Sequence, residues 1–165
     1  MSTDDAWRAL TLQIDLVKHA ESKAGAALAS SGVLGGLLYT LISQNRSGGA
    51  PFAVLAAATA IAVVVSAASA GVALRPRLLT GRPVPSLLFH HGIVRRFGPD
   101  SDGFAREFRT LVDDPAALLS ELADQVHANA SVAVHKYRAV TVALHALMTA
   151  LALLAATGVA GLTGR

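Results

Sequence analysis

The side chains that could bind a ligand in this chain are mostly arginines, and they are concentrated in one segment. Arg75 and Arg77 come first, and Arg95 and Arg96 follow after a stretch rich in proline. Guanidinium groups bind phosphates through paired, charge-assisted hydrogen bonds, so these arginines are candidates for binding an anionic ligand. The alternative is that they orient the chain in a membrane and contact anionic lipid, which requires basic residues whatever the function.

The sequence contains no recognisable catalytic or metal-binding pattern. The adjacent side chains of His90 and His91 do not converge on one ion, and no acidic residue stands nearby at a ligand spacing. Asp113 and Asp114 lie at a helix start, where a capping role outweighs paired-carboxylate catalysis. The absence of cysteine removes thiolate nucleophiles and cysteine metal sites. We therefore expect no enzyme activity, no metal, no cofactor and no nucleic acid polymer as partner.

Three stretches without a charged residue determine the solvent around the chain. They cover residues 24–45, 47–74 and 139–164, and Arg46 alone separates the first stretch from the second. Each stretch reaches the roughly 20 residues that a helix needs to cross a bilayer. The 165-residue chain is 53% hydrophobic and only 15% charged, whereas soluble domains carry about 25% charged residues. We predict an all-α integral membrane protein with transmembrane helices at residues 24–45, 51–74 and 139–162.

The lysines and arginines outside the spans indicate the orientation. Residues 1–23 and 75–138 contain all but two of them, the exceptions being Arg46 and Arg165. Because loops rich in these residues stay in the cytoplasm, residues 1–23 are predicted to form a cytosolic stalk helix and residues 75–138 a cytosolic helical region. The N-terminus is then cytoplasmic and the C-terminus outside, and the length and acidic residues of the first segment argue against a cleaved signal peptide.

Helical periodicity extends the first and third spans into these cytosolic segments. One helix is predicted from about Thr3 to Ser43, with Ser2 or Thr3 as its cap, and another from Asp114 or Pro115 with no breaker before Gly158. We expect the two stalks to pair antiparallel. The predicted stripes are Trp7, Leu10, Ile14, Val17, Glu21, Ala24 and Leu28 in the first helix, and Leu119, Leu122, Val126, Asn129, Ala133, Lys136 and Val140 in the second.

The region between the second and third spans is predicted to hold short helices. The second span should end near Leu74, because a proline follows two residues later. Residues 86–94 are apolar but too short to span, and they fit either a short interfacial helix or an extended segment. Phe104 and Phe108 begin an amphipathic helical pattern that ends at Asp114, which precedes a proline.

Gly32 and Gly36 form a small-residue motif in the first span, reinforced by Gly25, Ala29 and Gly35. Missing side chains let helices approach closely in lipid, which supplies no hydrophobic drive for their association. The motif does not distinguish packing within one subunit from self-association, although we expect a homo-oligomer.

Ionisable residues near and within the spans raise two further hypotheses. Glu21 and Lys136 each stand three residues before an uncharged stretch and fall on an apolar stripe. They are predicted to face each other as a partly buried pair, and independent snorkelling of both side chains to water is the alternative. His145 lies inside the third span, where it indicates either a functional site or a neutral side chain bonded to Ser or Thr of a neighbouring helix.

Short strings beside the spans carry a more specific signal. They read AESKAG at residues 20–25, LFHHGI at residues 88–93, QVHANA at residues 125–130 and KY at residues 136–137. Together with Trp7 and the three spans, they resemble the transmembrane effector family of the pyrimidine cyclase anti-phage system called Pycsar. The resemblance covers nearly the whole chain, and the family usually shows Asp where Glu21 stands. The polar residues of the strings are predicted to form a juxtamembrane cluster of Glu21, Lys23, Gln125, Asn129 and Lys136.

The resemblance implies a bacterial inner-membrane protein in contact with the lipid bilayer that performs no chemistry. In such systems a cyclase makes cyclic CMP or cyclic UMP on infection, and the effector impairs the host membrane, which stops phage propagation. Because the chain has no recognisable cyclic-nucleotide-binding domain, direct binding of this messenger would fall to residues 1–23 and 75–138. A plasmid-transfer-associated role and a structural membrane protein that organises partners are the alternatives.

Overall fold

The computed structural model describes residues 2–45, 48–76 and 86–163, which are almost entirely helical. Three of the helices are long and apolar enough to cross a membrane. The expected all-α integral membrane architecture with three transmembrane helices is therefore confirmed. In chain order the helices are α1 (Thr3–Gln44), α2 (Ala50–Leu74), α3 (His90–Phe97), α4 (Ser101–Asp113) and α5 (Pro115–Thr163).

Capping residues start the two longest helices at the positions that the sequence indicates. Ser2 and Asp5 cap each other at the start of α1: the backbone N and Oγ of Ser2 lie 3.1 and 2.9 Å from Asp5 Oδ2, and the Asp5 backbone N donates to Ser2 Oγ at 3.2 Å. These bonds from the Ser2 backbone and side chain lower the pKa of the Asp5 carboxyl. At the start of α5, Asp114 Oδ1 accepts from the backbone of Ala116 and Ala117 at 3.0 and 3.1 Å.

The chain forms two compact units, and α1 and α5 contribute residues to both. Unit 1 contains the described residues of Met1–Lys18 and Pro76–Val134, and unit 2 those of His19–Arg75 and His135–Arg165. The apolar core of unit 1 is built mainly from leucines, which bury large side chains. Its members are Ala6, Leu10, Leu118 and Leu122, with Leu88, Leu111, Leu119 and Val126 packed against them.

Short helices α3 and α4 contact each other within unit 1. Of the two alternatives for residues 86–94, a short helix and an extended segment, the structure has a helix that begins at His90. Gly98 ends α3 with a φ of 52°, a conformation that favours glycine. The rings of Phe97 and Phe104 then meet edge to face at 5.6 Å, and Phe104 stacks on Phe108 at 5.5 Å. The apolar face of α4 that begins at Phe104 therefore packs against the end of α3 at Phe97.

The interior of unit 2 is built from alanines and hydroxyl residues. Ala20, Ala24, Ala73 and Val140 form one buried cluster, and Ala27, Ala70 and Ala143 form another. Such small side chains allow the close helix contact on which association in lipid depends.

Helices α1 and α5 run parallel in unit 2, so the predicted antiparallel pairing is wrong. Glu21 contacts Lys136, and Gly161 lies against Asn45, so residue numbers rise together along both helices. Successive spans alternate in direction, and the first and third of three spans therefore point the same way.

The predicted stripe of α5 is confirmed, whereas that of α1 is partly wrong. Leu122, Ala133, Lys136 and Val140 are buried on α5, and the other members of its stripe are half-buried. On α1, by contrast, the side chains of Trp7, Ile14 and Leu28 are 42%, 37% and 39% exposed. The helix instead buries a stripe of mostly smaller residues, Ala6, Leu10, Ala20, Ala24, Ala27, Ser31, Leu34 and Leu38. Within the span, a large apolar side chain such as Leu28 can face lipid at no cost, while small ones are favoured between helices. Lipid does not explain the exposure of Trp7 and Ile14, which precede the predicted span.

Candidate functional site

Lys136 lies at the meeting point of three helices in unit 2. Its side chain is only 3% exposed, and Nζ donates a 2.8 Å hydrogen bond to Glu21 Oε1. The ion pair predicted from the matched depths of these residues is therefore confirmed. Because the Glu21 side chain is 43% exposed, only one of the two charges is fully enclosed by the protein.

Lys136 also caps the end of α2. Its Nζ donates to the Ala73 carbonyl at 2.7 Å and lies 3.4 Å from the Arg75 carbonyl. The last carbonyls of a helix lack intrahelical partners and carry the negative end of the helix dipole, so an ammonium group is favourable there. An ammonium has three N–H donors, and Lys136 directs them to α1, to α2 and to the residue that follows α2.

Lys23 and Tyr137 extend this site along α1 and α5. The Lys23 Nζ lies 5.8 Å from the centroid of the Tyr137 ring, within the range of a cation–π contact. Unit 2 thus places Glu21, Lys23 and Lys136, three members of the predicted polar cluster, in neighbouring positions.

A second polar contact joins all three spans through Ser66. The Ser66 Oγ donates to the Ala143 carbonyl and accepts from Ser31 Oγ, each at 2.9 Å. Ser31 Oγ also lies 2.8 Å from the carbonyl of Ala27 on its own helix. Both serines are essentially fully buried. The contact therefore links α1, α2 and α5 through hydrogen bonds inside the spans.

A third polar contact lies between Thr59 of α2 and Thr157 of α5, whose hydroxyl oxygens are 3.2 Å apart. With Ser31 and Ser66, these threonines are among the largest fully buried side chains of the described chain. Sequence analysis missed all four. A hydroxyl in a span can always bond to the carbonyl four residues earlier, so sequence alone cannot tell which ones also bond across helices. The helical spacing of the small residues Ala24, Ala27 and Ser31 is the sequence signal that could have identified Ser31.

Gln125 and Asn129, the remaining members of the predicted cluster, make their contacts in unit 1. Gln125 Nε2 donates to the buried Ser86 Oγ at 2.8 Å, and Asn129 Nδ2 donates to the Gln125 carbonyl at 2.9 Å. Glu121 Oε1 accepts from the backbone N of Leu87 at 3.1 Å. These bonds hold the segment before α3 against α5, a role that the sequence analysis did not assign to Ser86.

The arginines proposed as an anion site are placed in different parts of the chain. Arg75 is exposed after α2 in unit 2, Arg95 and Arg96 are exposed on α3 in unit 1, and Arg77 lies outside the described residues. Arg96 Nη2 is 2.6 Å from Glu107 Oε2, so this guanidinium already has an anionic partner. The ligand-binding role of the four arginines stays a prediction.

Gly32 and Gly36 lie on the exposed face of α1. A methyl group in place of either glycine hydrogen would meet no atom of the described chain within 4 Å. The glycines therefore do not mediate close packing among the described residues of one subunit. Self-association through this face stays a prediction.

Comparison with known proteins covers both units. A family model described as the Pycsar effector protein domain matches residues 5–163. The chain is 32% identical over 138 residues to the Pycsar effector protein PtPycTM of Propioniciclava tarda, an alignment that covers 82% of this chain and 68% of that protein. No solved structure matches the chain.

Proposed function

Because the chain belongs to the family of Pycsar effector proteins, we propose that it responds to cyclic CMP or cyclic UMP by impairing the host inner membrane. The observation that carries the proposal is the family match over residues 5–163, which takes in the polar sites as well as the spans. The match favours this role over plasmid transfer and over a purely structural membrane protein. In this proposal the chain is not an enzyme and needs no cofactor.

The proposed orientation places the messenger and unit 1 on the same side of the membrane. With a cytoplasmic N-terminus, residues 75–138 also face the cytoplasm, because they contain most of the lysines and arginines. Arg75 in unit 2 and Arg95 in unit 1 are both exposed, and each is a separate candidate donor of hydrogen bonds to the phosphate of a cyclic nucleotide. The C-terminus is then outside.

The composition of the spans explains how a small perturbation could open them. Alanine side chains bury little surface, and the hydroxyl groups of Ser66 and Thr59 can bond to water as well as to their present partners, Ser31 and Thr157. Lys136 holds the start of this region together through α1 and α2. Loss of these bonds lets water reach the hydroxyl groups and makes the membrane leak.

The direct test is to follow membrane potential in cells that express the chain together with a pyrimidine cyclase. Depolarisation is expected with the active cyclase and not with a catalytically inactive one. Equal depolarisation with both cyclases, or none with either, would contradict the proposed function.

A matched pair of variants tests the contribution of the exposed arginines to messenger binding. Arg75→Gln with Arg95→Gln should raise the messenger level needed for depolarisation by about tenfold or more, the effect of losing a charge-assisted hydrogen bond. The control is Arg106→Gln with Arg109→Gln, which removes the same charge from exposed positions on α4. Equal effects of the two pairs would assign the arginines to general electrostatics.

A further inference from the structure

His145 lies on the outer surface of α5, within the third span. Its side chain is exposed, and no described residue forms a hydrogen bond with the imidazole. The hydrogen bond to a Ser or Thr of a neighbouring helix is therefore not made within the described part of this chain. His145 stands nine residues beyond Lys136, which is about 13 Å along the helix. An imidazole on a single methylene lacks the long stem that lets lysine and arginine reach the interface.

Two threonines extend the polar surface around His145. Thr141 and Thr149 stand one turn before and after it, and both are exposed. We call Thr141, His145 and Thr149 the His145 row. The threonine hydroxyls donate to the carbonyls of Tyr137 and His145 at 2.9 and 3.0 Å, so they are satisfied within α5. Within the row, the threonine hydroxyls have acceptors, whereas the imidazole N–H of His145 has none among the described residues.

Histidines within membrane spans are rare on lipid-facing surfaces. They almost always face a protein interior or a water-filled cavity, and they bond to one another or to backbone carbonyls. An exposed His145 therefore favours a partner on this face of α5, either another helix with an acceptor or water in a cavity.

The outer face of α1 offers such a surface. Gly25, Ala29, Gly32 and Gly36 follow one another at spacings of four, three and four residues, so they line one face of the helix. We call these residues the α1 groove. A Cβ at any of its glycines would have no described atom of a neighbouring helix within 4 Å. Without side chains in the way, the backbone carbonyls along the groove can accept a second hydrogen bond.

The His145 row and the α1 groove lie at the same depth in unit 2. Glu21 and Lys136 are in contact at 2.8 Å and mark a common level on the parallel helices α1 and α5. Ala29 stands eight residues after Glu21, and His145 stands nine residues after Lys136. The donor on α5 and the groove on α1 are therefore level to within about 2 Å along their axes.

We propose that the His145 row of one copy packs into the α1 groove of a second copy, with the imidazole N–H donating to a backbone carbonyl of the groove. Neither the row nor the groove is covered by another helix of the described chain, and the two surfaces lie at the same level along α5 and α1. The imidazole ring projects from α5 and fits a surface that lacks side chains. A symmetric contact between two α5 helices would instead bring together the large exposed side chains of Leu144 and Met148. Because the two faces of the contact differ, every copy can engage two others, and the assembly closes into a ring if the rotation allows it.

This interface does not depend on the messenger, so its test is separate from that of the proposed function. The chain contains no cysteine, and every introduced thiol is therefore unique. Gly25→Cys places a thiol in the groove, and Thr141→Cys places one at the end of the row while leaving His145 intact. Gly25 stands four residues after Glu21 and Thr141 five after Lys136, so the two thiols share a depth. Cross-linking is carried out with a mild oxidant in isolated membranes, from cells with and without an active cyclase.

The double variant G25C with T141C should form a ladder of covalent dimers, trimers and larger species. Either single variant should remain monomeric, because a heterologous contact places unlike positions together. The matched control is G25C with V142C, whose second thiol is also exposed but points to a different side of α5. Dimers of T141C alone would show a symmetric contact, and they would overturn the proposal. A ladder that is absent in both conditions, or as strong in the control, would also overturn it.

Replacement of His145 in the double-cysteine background tests the hydrogen bond itself. His145→Phe keeps a ring without its N–H and should reduce the ladder about three- to twentyfold, the range expected for one interhelical hydrogen bond in a membrane. His145→Asn keeps a donor and should retain more of the ladder than His145→Phe at equal membrane insertion. An undiminished ladder with both variants would remove His145 as the anchoring group and overturn the proposal.

Discussion

At the scale of single residues, Lys136 and Glu21 contribute unequally to their ion pair. The ammonium of Lys136 is enclosed and bonds to the Ala73 carbonyl as well as to Glu21, whereas the Glu21 carboxylate is 43% exposed. The matched depth of the two residues was readable from the sequence, because each stands three residues before an uncharged stretch. The hydrogen bond from Lys136 to the Ala73 carbonyl was not readable from the sequence, because no residue of α2 indicates which helix will lie beside its C-terminus.

Neutral substitutions should reveal this asymmetry. We expect Lys136→Met to lower the free energy of unfolding by about 2–3 kcal/mol, because it leaves α2 uncapped and Glu21 without its partner. Glu21→Gln should cost no more than about 1 kcal/mol, because its site is partly exposed and Lys136 keeps its carbonyl acceptors. Thermal unfolding in detergent measures both effects. Lys18→Met removes a lysine that is 69% exposed and serves as the control.

The double variants separate contact from coincidence. If the side chains interact, Glu21→Gln combined with Lys136→Met should cost less than the sum of the single changes. The charge swap of Glu21→Lys with Lys136→Glu should recover only part of the loss, because the new carboxylate would face the Ala73 carbonyl. Purely additive costs would show that the ion pair does not contribute to stability.

Ser86 provides a second test of a single buried contact. It is 3% exposed, and its Oγ accepts from Gln125 Nε2 at 2.8 Å and from the Leu88 backbone N at 3.1 Å. Ser86→Ala should therefore cost about 1–3 kcal/mol, the price of leaving buried donors unsatisfied. Ser131→Ala removes an exposed hydroxyl from α5 and should change stability by less than about 0.5 kcal/mol. Equal unfolding temperatures for the two variants would contradict the structural role of Ser86.

At the scale of helices, the sequence predicted the lengths of the long elements better than their buried faces. Capping residues and the absence of internal breakers were sufficient to bound α1 and α5, because these signals are local. The buried face of α1 was misread at Leu28, because large apolar residues inside a span can face lipid instead of a protein interior. It was also misread at Trp7 and Ile14 in the predicted cytosolic stalk, where Ala6 and Leu10 are buried instead. In the spans, small residues such as Ala24 and Ala27 mark the contacts between helices.

The first turn of α1 should respond to pH through Asp5. Bonds from Ser2 lower the pKa of this carboxyl in the folded helix from its usual value of 3.8. The stabilisation is therefore fully present above pH 3.8 and is lost as the pH falls through the lowered folded pKa. The protection of the amides of this turn, relative to their intrinsic exchange rate at each pH, should fall in that range, whereas Asp5→Asn should remove this pH dependence of the protection. The same loss of protection in the variant would show that another group is responsible.

The glycine face of α1 should control association between subunits rather than folding. A Cβ at Gly36 would meet no atom of a neighbouring helix within 4 Å, so Gly36→Leu should insert normally, while cross-linked oligomers should decrease several-fold because the leucine blocks close approach. A Cβ at Gly71 in α2 would also meet no atom of a neighbouring helix, and Gly71→Leu is the matched control. Equal oligomer yields in the two variants would show that the Gly36 face does not contact another subunit.

At the scale of the whole molecule, the sequence was sufficient for the number of spans and insufficient for the contacts among them. Charge-free length predicted α2 and the span portions of α1 and α5, because a bilayer excludes charge along its full thickness. The parallel direction of α1 and α5 also follows from three alternating spans. The hydrogen bonds from Ser31 to Ser66 and between Thr59 and Thr157 depend on rotation about each helix axis, which hydropathy does not encode.

The orientation of the whole chain can be tested with single cysteines at exposed positions. Lysines and arginines are concentrated in residues 1–23 and 75–138, so these segments are predicted to be cytoplasmic and the turn between α1 and α2 external. In intact cells, an impermeant thiol reagent should label Gly49→Cys, which is exposed beside α2, and should not label Ser101→Cys at the start of α4. Permeabilised cells provide the control, because both thiols should then react. Labelling of S101C and not of G49C in intact cells would reverse the orientation, and it would place Arg95 where a cytoplasmic messenger cannot reach it.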